Sequence, residues 1–382
     1  MNEHFDQIKV LVTGDFCPIN RIEMLVEKND YASIFNDFLP ILQESDLNIT
    51  NLECPLYEGN TPINKSGPNL KGTIAAANAL KFGKFDLVTL ANNHIMDHGE
   101  QGLRSTIGAL VQNEISYVGA GMDTFDAERV FYYTHHDITV AVINICENEF
   151  GMAGISLAGA NGIDVVRNYY HVTEAKKNAD FVILIMHGGH EYYELPSPRV
   201  QKLCRFFIDL GVDVVINHHT HCPSGFEKYK EGNIFYGLGN FVFDWDKLKK
   251  DSWYYGYAVN LTMSKKNRIS FKIVPYTQNR GSSTGLQVLK EREPFIKEIE
   301  RLNETIIDAH KLEERWIRLS EGSYKHYISS LMPIDNKYLK AALHKLGLNF
   351  PFSKKAALKI SNLVRCESHR DLFLAALYKY VK

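Results

Sequence analysis

Three histidines within four residues, His218, His219 and His221, end the apolar run "VVINHHTH" (214–221). Similar residues close other apolar runs. Asp15 ends "IKVLVTGD", Asn51 and Glu53 follow "DLNIT", Asn92, Asn93, His94 and Asp97 follow "FDLVTLA", and His187 follows "FVILIM". Imidazole, carboxylate and amide together suit divalent transition ions such as Mn, Fe or Zn, whereas an all-oxygen set would suit Mg or Ca. One or two such ions are expected. Two ions a few ångströms apart can clamp a phosphoryl group and activate water, with one carboxylate bridging them. A nearby histidine that binds no ion can protonate the leaving oxygen.

Taken singly, most of these residues have ordinary explanations. An Asp after a strand caps the next helix. "NNH" suits a turn, because Asn tolerates left-handed backbone. A lone His at a strand end packs and hydrogen-bonds. "HHTH" is stronger evidence, because strand alternation would put His219 and His221 on one face and His218 on the other. The recurrence of the pattern at five strand ends is what points to a shared site.

The elements that must position these residues alternate. Strands are expected at 8–15, 46–53, 85–94, 138–146, 180–189 and 212–219, and helices at 31–45, 73–83, 99–113 and 197–210. Pro40 should bend or end the first helix, and Gly83 should cap the second. The strands are apolar throughout, as strands covered on both faces are. This predicts a layered α/β fold, in which sites form at the carboxyl ends of the strands. Beyond 230, strands at 232–244, 255–263 and 268–276 follow one another without helices. From about 290 the chain becomes helical and charged. The Gly/Ser-rich "QNRGSSTG" marks a boundary between a domain at 1–285 and a helical extension at 290–382.

The 382 residues are 45% hydrophobic, enough for a sizeable core. A net charge of −2 gives no argument for nucleic acid. The basic excess late in the tail, over 335–382, reads as a solvated face, with contact to anionic lipid or a polyanion as the alternative. The six cysteines form no CxxC pair, which fits reduced thiols in the cytoplasm. "MNEHFDQIKV" lacks the apolar core of a signal peptide, and no run approaches the roughly 18 residues that cross a bilayer. The expected location is the cytoplasm, with the inner face of the membrane as the alternative. The absence of a GxxxxGK[ST] loop argues against an ATP-dependent amide ligase.

Several segments in order, "VTGDF", "NLECPL", "FDLVTLANNHIMDHGEQGLRST", "YVGAGM", "HGGHEYYELPSPRVQ", "GVDVVINHHTH" and "GNIFYGLGNFVFD", make the chain resemble the CapA family of bacterial capsule and poly-γ-glutamate biosynthesis proteins. That family belongs to the calcineurin-like metallophosphoesterase superfamily. The resemblance covers roughly 8–245 and implies a four-layer α/β-β/α sandwich with a metal site at one edge. Carried over by position, Asp15 is the first ligand, Glu53 the bridging acid and Asn93 the amide ligand. His187 is the lone histidine ligand, and His219 and His221 form the H-x-H pair. His94 is the acid facing the substrate, with Asp97 three residues on to orient its ring. His190, Glu191 and Asn240 are expected at the substrate.

The sequence departs from the superfamily pattern at several positions. Cys17 replaces the second ligand of D-x-H, so one ion is held by Cys17, by His218 or not at all. Glu53 replaces an aspartate, and Gly188 replaces a tryptophan of the family. The implied activity is metal-dependent hydrolysis of an anionic cell-envelope or exopolymer precursor. A non-catalytic, polymer-binding subunit that works with other capsule-synthesis proteins is the alternative, and oligomerisation through the tail fits either.

Overall fold

The computed structural model describes residues 7–331 except 246, 248 and 267, together with 345 and 354–381. Much of the basic stretch at 335–382 and the first six residues lie outside the described residues.

The strands in chain order are β1 (Gln7–Cys17), β2 (Leu47–Leu52), β3 (Leu87–Thr89), β4 (Ser116–Val118), β5 (Ala120–Gly121), β6 (Phe131–His135), β7 (Ile138–Cys146) and β8 (Gly159–Ala160). They continue with β9 (Phe181–His187), β10 (Val214–His218), β11 (Phe226–Tyr229), β12 (Gly232–Phe235), β13 (Asn240–Phe243), β14 (Tyr255–Ser264), β15 (Arg268–Gln278) and β16 (Leu286–Val288). One sheet runs β16-β15-β14-β1-β2-β3-β4, with β13 also paired to β1; the other runs β11-β12-β10-β9-β7-β6. β1 to β4 are mutually parallel, as are β7, β9, β10 and β12.

Side-chain alternation sets the layers. Ile8, Val10 and Val12 of β1 share a core with Val140, Ile183 and Val214 of the other sheet. Leu11 instead packs with Ile22, Val26, Phe35 and Leu80 on the helices beside the first sheet. Helices Val165–Asn178 and Pro198–Asp209 cover the second sheet through Val172, Ala175, Cys204 and Phe207. The result is helix, sheet, sheet, helix, the mixed α/β sandwich expected.

Two expectations are corrected. The helix expected at 31–45 is three pieces, Ala32–Phe35, a 3₁₀ turn Asn36–Phe38 and Leu39–Gln43, with Asn36 in left-handed backbone at φ 44°. Pro40 opens the last piece, where a missing N–H has no cost. The strand expected at 232–244 is broken, because the chain crosses at 236–239 from β12 in one sheet to β13 in the other. That crossing fits only because residue 14 is glycine: a Cβ there would lie 1.9 Å from the Gly239 carbonyl oxygen.

The tail is helical at Glu293–Ile307, Ala309–Leu331, Lys354–Arg365 and Glu367–Val381. Ile299, Leu302 and Ile306 join the hydrophobic core that includes the second sheet. The start of the last helix grips the loop after β7. Glu367 accepts from the Asn148 amide at 2.8 Å, and Ser368 Oγ donates to Glu147 at 2.8 Å. Arg199 is paired with both Glu147 and Asp371.

Burial alone would raise the Glu147 carboxyl, but Arg199 and Ser368 outweigh it and hold it below the usual range. A depressed carboxyl stabilises the fold above its unfolded pKa, and that stability is lost as pH falls through the folded value. Arg199→Met strands the buried Glu147 charge and is expected to cost about 3 kcal/mol near neutral pH. The deficit should shrink as pH falls through the carboxylate range, because in the variant Glu147, buried without Arg199, takes up a proton there and its stranded charge disappears. Thermal melts of both proteins against pH check this.

Candidate metal centre

Strand register assembles the site. Asp15 pairs with Asn51 of β2 and with Asn240 of β13. In the facing sheet His187 pairs with Cys146 and with His218. The carboxyl ends of parallel strands from both sheets therefore open on one edge, with Glu53 two residues beyond Asn51.

The side chains converge there. His187 Nε2 lies 3.1 Å from Asn93 Oδ1, 3.1 Å from His219 Nδ1 and 3.4 Å from Glu53 Oε1. His221 Nε2 lies 3.7 Å from Glu53 Oε1, and His221 Nδ1 lies 3.8 Å from Asp15 Oδ2. Ligand bonds of about 2.0–2.2 Å put neighbouring donors about 3 to 3.5 Å apart, close to these spacings. Two candidate ligand groups result: Asp15, Glu53 and His187, and Glu53, His219 and His221. Glu53 belongs to both.

Glu53 is also the residue whose chemistry demands a cation. It is fully buried, and among the described residues neither carboxylate oxygen has a hydrogen-bond partner. Burial and the charges of Asp15 and Glu191 push its pKa well above the ordinary value. An uncompensated buried carboxylate is costly, and a divalent ion removes that cost. Burial and the neighbouring His219 push the His187 imidazole well below its usual pKa, so it is neutral and able to ligate. At Asp15 burial is outweighed by His218, His187 and His221, which hold its carboxyl below the usual range. Asn51 Nδ2 donates to Asp15 Oδ1 at 2.7 Å and fixes its rotation.

The histidine loop differs from the alternating strand expected. β10 stops at His218, and His219 and His221 adopt left-handed backbone at φ 86° and 53°. Both rings reach the site by that bend and not by pleating. His218 consequently does not point away: its Nδ1 lies 3.3 Å from Asp15 Oδ1, and neither ring nitrogen has a hydrogen bond among the described residues. Cys17 is buried, and burial together with Cys54 raises its thiol well above the ordinary value. Of the two alternatives to the missing histidine, His218 is the one beside Asp15 in available form.

His94 and Asp97 sit together. Asp97 Oδ2 accepts from His94 Nδ1 at 2.6 Å, and its buried carboxylate also accepts from the Leu70 amide. This fixes the ring through Nδ1 and leaves Nε2 for proton transfer. Asn92 Oδ1 accepts from the amides of His94 and Ile95, which shapes the turn. Burial first, then the Lys65 charge, lower the His94 pKa.

Lys65 is a residue that sequence reasoning misses. Its side chain is 2% exposed, is paired with Asp97, and lies 3.1 Å from both His94 Nδ1 and the Asn93 carbonyl. It comes from an irregular loop with no periodic signal.

The three residues expected at the substrate separate. Glu191 is exposed, and its charge reaches Glu53, His221 and His94. His190 is instead buried against Trp316 of the tail, ring centroids 5.1 Å apart, and burial lowers its pKa to about 3. Asn240 is fully buried behind His221: its Oδ1 accepts from His221 Nδ1 at 2.9 Å, and its Nδ2 donates to the Trp253 carbonyl. That leaves His221 Nε2 facing Glu53, and Asn240 holds the His221 ring from behind.

Gly188 has no room for the family's tryptophan, since a Cβ would lie 2.6 Å from Glu147 Cγ. An aromatic wall comes from elsewhere, with Trp253 4.9 Å and Tyr192 6.2 Å from His221, centroid to centroid.

Paired sheets with metal-type ligands at their shared edge define the class of protein. The chain belongs to the bacterial capsule synthesis protein family PGA_cap, whose model matches residues 9–245. It is 31% identical over 262 residues to the capsule biosynthesis protein CapA of Bacillus anthracis, covering 64% of this chain and 62% of that one. It is 30% identical over 276 residues to the PGA biosynthesis protein CapA of Bacillus subtilis (strain 168), covering 71% of each. Among solved structures, a hypothetical protein from Thermus thermophilus aligns with a TM-score of 0.46 at 14% identity, over 71% of this chain and 99% of that one.

Proposed function

We propose that the protein is a metal-dependent hydrolase of phosphoesterase type, acting on an anionic precursor or polymer in capsule or poly-γ-glutamate synthesis. The carrying observation is Glu53, a buried carboxylate without a hydrogen-bond partner that is shared by two ligand groups. In this reading Asp15, Glu53 and His187 would hold one ion and Glu53, His219 and His221 the other, with Asn93 beside His187 and His218 beside Asp15 as further ligands. Divalent ions bound there supply Lewis acidity toward a phosphoryl oxygen and the attacking water. His94, oriented by Asp97 through Nδ1, donates an Nε2 proton to the leaving oxygen from the charged form of the ring, whose share grows as pH falls because burial and Lys65 lower its pKa. Lys65 holds Asp97 and the Asn93 backbone in register, and Glu191 overlooks the entrance. The reducing compartment that suits six free, buried cysteines belongs to the same proposal. Among the described residues no helix is long and apolar enough to cross a membrane.

Cys17 supports a second reading, a polymer-binding subunit without turnover, because its protonated thiol leaves Asp15's ion one ligand short of the superfamily pattern. Protein purified without chelator separates the two. Elemental analysis should find transition metal, and added Mn should support hydrolysis of phosphate esters. Metal without turnover favours the binding subunit, and absence of both overturns the metal reading.

A further inference from the structure

We infer that Glu149, held by His369 of the last helix, is the positioning residue that turns the Asn93 amide toward the metal centre. The inference rests on the metal reading proposed above. An asparagine ligates only through its oxygen, and the two ends of its amide have nearly the same shape. Some neighbour must choose between them. Here Asn93 Oδ1 lies 3.1 Å from His187 Nε2, inside the ligand cluster. The Asn93 side chain also lies beside the Glu149 carboxylate and is one of the groups, after His369, that help to hold its pKa down. An ionised carboxylate accepts and cannot donate, so it takes the NH₂ end and leaves the oxygen for the ion.

Glu149 is itself held. It is 6% exposed, and His369 Nε2 lies 3.5 Å from its Oε1. The neighbouring Asn148 and Glu147 are tied to Glu367 and Ser368. Residues 366–371 of the tail thus clamp the segment 147–149, and Glu149 passes that constraint to a ligand. Glu149, Cys366 and His369 also lie close enough to hold an ion of their own. Their protein partners account for them without one: Cys366 Sγ donates to Glu147 at 3.5 Å, and Glu149 has Asn93 and His369.

The test is Mn²⁺ titration of the full chain by calorimetry, with circular dichroism confirming that each variant is folded. Glu149→Gln can present either end of its amide, so Asn93 is free to flip, and Mn²⁺ affinity should fall by about 10- to 100-fold. His369→Gln keeps a donor and should lose less than His369→Ala. The decisive background is Asn93→Asp, whose carboxylate needs no orientation and is repelled by Glu149. Glu149→Gln added to it should leave affinity unchanged or raise it. Equal losses in both backgrounds mark Glu149 as general scaffolding and overturn the inference. So does a change in the number of ions bound at unchanged affinity, which would place an ion on Glu149, Cys366 and His369. Equal affinity in the unaltered chain and Glu149→Gln overturns this inference alone, whereas no Mn²⁺ uptake by the unaltered chain overturns the metal reading with it.

Discussion

Glu53→Ala is expected to empty both ion positions and lower hydrolysis by on the order of a thousandfold, the scale of losing one preorganised electrostatic element in an active site. No other side chain belongs to both ligand groups. The same change removes a buried carboxylate that has no hydrogen-bond partner, so the apo protein should not lose stability and is expected to gain some. Loss of metal with an equal or higher apo melting temperature is the combination to look for. A lower apo melting temperature would mean that Glu53 has a structural partner, and would count against its bridging role. Glu53→Asp keeps a carboxylate but withdraws it by one methylene. It should keep some metal, with weaker affinity.

His94→Ala is expected to act on chemistry and not on ion binding. Loss of a positioned general acid costs about 10²- to 10⁴-fold. The loss should depend on the leaving group. An alkyl phosphate ester needs the proton and should suffer the full effect. A nitrophenyl ester leaves as a stable anion and should be hydrolysed almost as before. Metal content should match the unaltered protein, because His94 is tied to Asp97 and Lys65 and not to Glu53. An equal loss on both esters would remove His94 from proton transfer and make it a binding residue.

The parts of the site that can be read from sequence follow one physical rule. Buried parallel strands are largely apolar, so polar residues near their carboxyl ends stand out: Asp15 late in β1, Asn51 late in β2 with Glu53 just beyond it, and His187 as the last residue of β9. The rule fails where the strand ends sooner than its apolar run suggests. Alternation assigns His218 to the opposite face, but alternation stops at that residue, and the left-handed backbone at His219 turns the next rings. It fails also for groups delivered by tertiary packing. Lys65 lies in a loop without periodicity, and His369 and Trp316 come from a tail whose helical pattern says nothing of what it packs against. Asn240 sits in a motif that reads as part of one strand, and only the crossing between sheets shows that it braces His221.

The bend at His219 and His221 also has an evolutionary side. A side chain other than glycine or asparagine in left-handed backbone costs of order 1–3 kcal/mol when the surroundings enforce it. Glycine at either position would relieve that cost and raise tolerance to heat while deleting an imidazole. A lineage selected for durability alone would drift toward glycine here and become a sturdier but inert scaffold. An engineer who ranks substitutions by melting temperature would be led to the same two positions, and the first residues improved would be the ones that make the edge of this sandwich useful.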